Sequence, residues 1–200
     1  GATISGAEEP SPLKTADVCV YGATASGIMA ALTASREGCK VIVVEPSRWL
    51  GGMTGGGISR IDWGREDAVG GTARNILGYQ PDKRESYNNA QYREVFRALV
   101  AEHGIEVIFE HRLNSVRRDG VRIAQITLDY APPDRFGCPP PGPVKCEAAV
   151  VQAAVFIDCS YEGDLMAASG VDYTYGRESV DHYGETLAGV RPNLWVYDID

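Results

Sequence analysis

Between residues 22 and 27 the chain reads Gly-Ala-Thr-Ala-Ser-Gly, and an acid, Glu45, follows eighteen residues after Gly27. These residue types at this spacing suit one kind of chemistry, the holding of a nucleotide by its phosphates and its sugar. Gly22 permits a sharp turn out of a strand, and Gly27 lets a helix pack close to that strand. Free N–H groups at the start of the helix attract a pyrophosphate. The acid accepts hydrogen bonds from ribose hydroxyls. One position departs from the G-x-G-x-x-G pattern. Its middle glycine is Thr24, which narrows the backbone's approach to a pyrophosphate but can offer a hydroxyl to a phosphate oxygen. An acid in place of a basic residue at position 45 disfavours a 2′-phosphate, and therefore NADP.

Such residues work only if regular elements hold them. Val18 to Tyr21 form a short apolar run that reads as a buried parallel strand. An Ala-rich amphipathic helix follows from about Ser26 to Glu37, with Gly38 where a helix-ending glycine belongs. Val41 to Val44 form a second buried strand, closed by Glu45. Strand, glycine turn, helix, strand and terminal acid make a βαβ dinucleotide unit, and this complete context favours nucleotide binding over a purely structural βαβ. The next stretch, PSRWLGGMTGGGISRIDWG, has five glycines between Gly51 and Gly57. It reads as a loop that wraps a cofactor, with a flexible surface loop as the alternative.

The remaining chain alternates elements of both kinds. A short helical segment runs from Gly70-Gly71-Thr72 to Leu77, and PDKRESYNN (81–89) is a polar loop in which Asn88 or Asn89 can cap the next helix. That helix, Ala90 to Glu102, gathers Tyr92, Val95, Phe96, Leu99 and Val100 on one face and should pack on a sheet. Ile105 to Phe109 gives a third parallel strand. Leu113 to Arg118, a turn at Asp119-Gly120, Val121 to Asp129, a Pro-rich loop and Ala148 to Ile157 then suggest an antiparallel meander inserted into the parallel fold. Cys159 to Leu165 makes another strand-to-helix turn. Asn193 to Asp200 alternate like a strand that has just begun.

Composition narrows the function classes. Two hundred residues with 44% hydrophobic and 23% charged content describe an ordinary globular chain. A net charge of -8 argues against nucleic acid as a partner, and no apolar run reaches the ~18 residues of a membrane span. The five cysteines have no metal-ligand spacing. Cys19 and Cys159 read as small core residues. Cys138 and Cys146 flank the Pro-rich loop, where a disulfide, and with it an exported protein, is favoured over two free thiols. His103, His111 and His182 have no ligand spacing and read as solvated groups at a helix end, a strand edge and a loop. Tyr173, Tyr175 and Tyr183 are candidates for a substrate pocket, with packing as the default.

Several stretches together, VYGATASGIMAALTASREGCKVIVVEP, WLGGMTGGG, GGTARNI, FIDCSYEGDLMAASGV, GRES and YGETLAGV, resemble the N-terminal part of an FAD-dependent oxidoreductase of the glutathione-reductase-like flavoprotein superfamily. The branch it resembles shares the SYEGDL and GRES motifs and also the threonine at position 24. The resemblance implies an α/β, Rossmann-like FAD-binding domain over residues 17–170, its parallel sheet carrying a meander at about 113–153. A flexible arm (1–16) would precede it, and residues 171–200 would begin a substrate domain.

The same resemblance implies roles for single residues. Gly22, Ala23, Thr24, Ala25, Ser26 and Gly27 would hold the FAD pyrophosphate, and Glu45 the adenosine ribose, with Pro46 among the cofactor contacts. Arg48, Gly51, Gly52, Met53 and Thr54 would run under the pyrophosphate toward the flavin. Leu113 would meet adenine through its backbone, and Ser160, Tyr161 and Gly163 belong to a turn that returns to the cofactor. Glu162 and Asp164 are acids of that turn, for which helix capping is as good a role as chemistry. No catalytic residue and no metal ligand is identifiable. In such proteins the cofactor carries the hydride chemistry, so the expected reaction takes a hydride from a small-molecule substrate and passes the electrons to oxygen or another acceptor. Relatives are longer, which implies that the fold is completed either by further sequence of a larger polypeptide or, as expected here, by a second polypeptide, the remainder of the same precursor. An NAD-dependent dehydrogenase and a non-catalytic nucleotide-binding subunit are the rival readings.

Overall fold

Val18 and Val20 bury their side chains on one face of the first strand, Cys19 and Tyr21 on the other, and these two sets seed two separate hydrophobic clusters. A strand with no polar face must be covered twice, and the rest of the fold supplies the two covers. The computed structural model describes residues 12–56, 68–76 and 89–189. In chain order these form β1 (Leu13–Tyr21), α1 (Ala25–Arg36), β2 (Val41–Glu45), α2 (Gly52–Gly56), α3 (Gly71–Ile76), α4 (Asn89–Glu102), β3 (Glu106–Phe109), β4 (His111–Asp119), β5 (Arg122–Tyr130), β6 (Lys145–Asp158), α5 (Asp164–Ala168) and α6 (Val180–Tyr183).

The strands make one six-stranded sheet in the order β3-β2-β1-β6-β5-β4. Its β3-β2-β1-β6 half is parallel, and β6-β5-β4 is an antiparallel meander. The helical cover consists of Ile28, Ala31 and Leu32 of α1 with Tyr92, Phe96 and Val100 of α4, packed on Val18, Val20, Val41 and Val43. The spacing of the α4 residues, one per turn, is why that helix presents a continuous apolar stripe. The other cover is the meander itself, whose Ile126, Leu128 and Val151 pack on Cys19, Tyr21, Ile42 and Val44.

That second cover requires the sheet to fold over. β1 and β4 stand three strands apart, roughly 14 Å in a flat sheet, yet Tyr21 Oη accepts the N–H of Leu113 on β4 at 3.1 Å. The fourteen-residue β6 makes this possible, because residues 145–152 pair with β5 while 150–158 pair with β1. Register shifts lie between Leu113 and Ser115 and between Leu128 and Tyr130, and such irregularities bend strands. Buried Asp129 sits between them, its Oδ1 accepting from Asn114 Nδ2 and Glu147 N, both at 2.9 Å. Burial pushes the Tyr21 phenol up to about 12, so it keeps its proton.

Four expectations change. Leu13 to Ala16, expected in a loose arm, are the first residues of β1 and pair with Val150 to Ala153, because β6 is long enough to receive them. Asn89 is the first residue of α4 rather than a residue before it, and its side-chain amide donates to the carbonyls of Met53 and Thr54 in α2, while Asn88, the other cap expected, lies outside the described residues. His182, expected in a loop, lies in α6. Cys138 and Cys146 are both exposed and unbridged. The loop folds without a bridge: Val144 N on Tyr130 O joins its two ends, and Asp134 orders the turn before Cys138 with bonds from Phe136 N and Cys138 N. Residues 1–11, the loop from 81 to 88, Leu77 and the strand expected at Asn193 to Asp200 lie outside the described residues.

The chain divides into two compact units, Gly1–Gly170 and Val171–Asp200. In the second, Arg177 Nη2 donates to Leu187 O and Gly189 N to Glu178 O, which ties the GRES segment to the YGETLAG segment. Tyr173, Tyr175 and Tyr183 are all exposed there rather than packed. No helix among the described residues is long and apolar enough to cross a membrane.

Two measurements check this fold. Tyr21→Phe leaves the Leu113 N–H without its acceptor and should cost about 1–3 kcal/mol in chemical denaturation; an unchanged midpoint would mean that the meander does not rest on that bond. Alkylation of freshly isolated protein followed by non-reducing peptide mapping should label both Cys138 and Cys146, and a 138–146 crosslinked peptide would refute the unbridged loop.

Candidate functional site: a nucleotide cradle at the strand ends

Three segments converge at the carboxyl ends of β1, β2 and β6, where parallel sheets place their ligands. The first is the glycine turn. Gly22 has φ +95°, and a Cβ there would lie 2.8 Å from both Cys159 C and Ser160 N. A Cβ on Gly27 would lie 1.9 Å from Gly22 O. Both glycines are therefore demanded by backbone lying directly on backbone. Thr24 caps α1: its Oγ1 accepts from Gly27 N at 3.2 Å and donates to Cys159 O at 2.9 Å. A hydroxyl has one hydrogen, and this one is used, so the expected donation from Thr24 to a phosphate is not what the structure shows. Ser26, whose Oγ lies 2.9 Å from Thr24 Oγ1, stands in the first turn of α1, where N–H groups have no acceptor within the helix.

Glu45 ends β2 and is buried, at 8% exposure. Oε2 accepts Ala23 N at 2.6 Å and Oε1 accepts Ser47 N at 2.7 Å. One carboxylate thus holds the glycine turn and the start of the next loop, while each oxygen keeps a lone pair for a further donor. Pro46 lies between the two anchor points.

The second segment is the loop from Pro46 into α2. Gly51 N donates to Ala23 O at 2.8 Å, and Gly51 bridges to Thr24. Its glycines serve packing: a Cβ on Gly51 would lie 2.4 Å from the Phe96 ring, and one on Gly55 would lie 2.0 Å from Leu50 O. Met53 donates its N–H to Tyr161 Oη at 2.8 Å, and the Thr54 carbonyl takes Asn89. Arg48 is directed to the far side of this loop, with Nε 3.3 Å from Glu110 Oε1 and Nη2 on Pro133 O.

The third segment is the turn from Asp158 to Asp164. Asp158 Oδ1 accepts from both Ser160 N and Ser160 Oγ, and Oδ2 from Met166 N. Ser160 Oγ accepts Gly163 N and Asp164 N, and Gly163 sits at φ +72°. Burial, with help from Glu162 and Asp158, holds the Asp164 carboxyl above its ordinary range. Burial likewise raises the Cys159 thiol, against an opposing bond from Ser26.

The structure brings together Gly22 to Gly27, Glu45, Gly51 to Thr54 and Ser160 to Gly163. Leu113 stands with Tyr21 on the meander side, and Arg48 turns toward Glu110 and Pro133. Sequence reasoning missed Asp158, Ser47 and Asn89. An acid two residues before Ser160 at a strand end is a turn-forming signal that was readable; Asn89's reach to α2 was not, since it joins residues 35 apart. Among the described residues no group of His, Cys, Asp and Glu could hold a metal ion.

A glycine turn on a parallel sheet, a buried acid at the next strand end and a meander on the opposite face define a dinucleotide-binding α/β domain of the flavoprotein kind. The family model of FAD dependent oxidoreductases matches residues 17–198, and the chain belongs to that family, whose cofactor is FAD. No curated protein matches it. Among solved structures, it is similar to a geranylgeranyl bacteriochlorophyll reductase-like protein from Thermoplasma acidophilum (TM-score 0.51, 18% identity, 80% of this chain and 43% of that one). It is also similar to the flavin-dependent brominase Bmp2 (TM-score 0.50, 14% identity, 79% and 41%). Likeness at these identities concerns the fold, and the chain spans less than half the length of either protein.

Gly27→Ala tests the backbone contact under the cradle. With a methyl 1.9 Å from Gly22 O, α1 must leave β1, and the variant should lose at least about 3 kcal/mol or fail to fold. Soluble yield and a denaturation midpoint near wild type would contradict the close approach.

Proposed function

We propose that this chain is the FAD-binding part of an oxidoreductase acting on a small-molecule substrate. The observation that carries the reading is the Glu45 carboxylate, buried at the end of β2 and bonded to the glycine turn at Ala23 N. In this arrangement Gly22 to Gly27 and the first turn of α1 receive the pyrophosphate, Glu45 beside Pro46 receives the adenosine ribose, and Leu113 lies on the adenine side. Gly51 to Thr54 and the Ser160 to Gly163 turn flank the path toward the flavin. When bound, FAD supplies the hydride acceptance and later reoxidation by oxygen or another acceptor; the chain supplies orientation and the fixed dipoles around it.

A second polypeptide from the same precursor completes the site in this proposal. β5 pairs with β6 only as far as Gln152, and no described strand pairs with that edge of residues 153–158. The stretch is uncharged up to Asp158, and Val155 is 51% exposed. Natural edges are blunted by charge or proline, and an apolar one supports coverage by more protein. Export rested on a Cys138–Cys146 bridge, and the two free thiols leave that expectation without support.

The test is direct. Purified protein should be yellow or bind added FAD, and Glu45→Ala should weaken FAD by ~1.5–3 kcal/mol, the contribution of a hydrogen bond to a charged group. Flavin-fluorescence titration reads both. Wild-type protein that neither carries nor takes up flavin would sink the reading. Native size-exclusion with intact mass should find the chain together with a second polypeptide, and a lone 21.5 kDa species that turns over substrate would end that part of the proposal.

A further inference from the structure

Tyr161 is 56% exposed, yet its phenol oxygen is committed, accepting the Met53 N–H at 2.8 Å. A Cβ on Gly52 would come within 2.3 Å of Tyr161 Oη and 3.0 Å of its Cζ. Gly52 thus lacks a side chain where the tyrosine lies, at a φ of +52° that also favours glycine. The bond joins two segments that are each anchored to the glycine turn by another contact. The α2 loop is held by Gly51 N on Ala23 O, and the Asp158 to Asp164 turn by Thr24 Oγ1 on Cys159 O. Tyr161 on Met53 closes the ring of three segments. The other closures involve buried groups, Ala23 and Thr24, whereas this one is a single neutral hydrogen bond between exposed residues. Water competes for such a bond, so it is the first part of the ring to open.

We propose that Tyr161 is the latch of the nucleotide cradle: its opening admits and releases the dinucleotide, and its closure over Gly52 retains it. This rests on the FAD reading above. It makes Tyr161 a positioning residue that acts through the α2 loop.

Tyr161→Phe keeps the ring and loses the acceptor for Met53. In stopped-flow flavin fluorescence on the full chain, the association and dissociation rates for FAD should rise together by about three- to tenfold, as the open population grows on loss of one such bond. The melting temperature of the cofactor-free chain should hardly move. In that same cofactor-free chain, hydrogen exchange at the Met53 amide should quicken by a similar factor. Gly52→Ala, which pushes the ring away, should repeat the kinetic pattern. Faster dissociation with unchanged or slower association would show a residue that merely shapes the site and would overturn the latch, as would unchanged rates or unchanged Met53 protection. Wild-type protein that binds no FAD even with its second polypeptide present overturns the cofactor reading and takes the latch's ligand with it. Wild-type binding with unaltered Tyr161→Phe rates overturns the latch alone.

Discussion

Backbone rests on backbone at Gly22, and the carboxyl end of the sheet is built on that contact. The strand end, the start of α1 and the turn after β6 meet there with no room for a methyl group: Gly27 faces the Gly22 carbonyl, and Gly22 faces the Cys159–Ser160 peptide. A contact this close excludes water, so every polar group around it needs a protein partner. Thr24 and Glu45 answer most of that need. Thr24 satisfies Gly27 N and Cys159 O with one hydroxyl, and Glu45 satisfies Ala23 N and Ser47 N with one carboxylate. The threonine that breaks the glycine pattern is therefore the residue that fastens β6 to α1.

The two faces of the sheet are closed by different means. Helices cover one, as in any βαβ unit. A continuation of the sheet covers the other, and this depends on bends that Asp129 ties together across β4, β5 and the start of β6. Burying a carboxylate is costly unless it is bonded, and Asp129 collects donors from both neighbouring strands. Tyr21 links the meander back to the strand that leads into the glycine turn. Glycine turn and meander are in this way mechanically joined through adjacent residues, Tyr21 and Gly22.

Much of the site was readable in order along the chain. The run from Val18 to Glu45 has the period, the glycines, the cap and the acid of its final structure, because each is set by neighbours within a few residues. The glycine-rich stretch after Trp49 was expected to wrap a cofactor, and what the structure shows of it is packing within the chain. Its glycines look like flexibility and are instead tight packing, Gly51 on Phe96 and Gly55 on Leu50. The Cys138 and Cys146 pair shows the opposite error. Proximity in sequence suggested a bridge where the Val144 N–H on Tyr130 O already joins the ends of the loop.

The sequence alone determined the elements whose causes are local: the strand and helix periods, the turn that needs Gly22 and Gly27, and the acid that ends β2. Only the tertiary structure decided what those residues touch. The partners of Tyr21, Thr24, Gly52 and Asn89 lie 92, 135, 109 and 36 positions away at most, and spacing along a chain carries no record of such meetings. The contacts of Tyr21, Thr24 and Gly52 arise because β6 is long enough to pair with β5 at its start and β1 at its end, and its course brings the Cys159 turn back onto the first glycine.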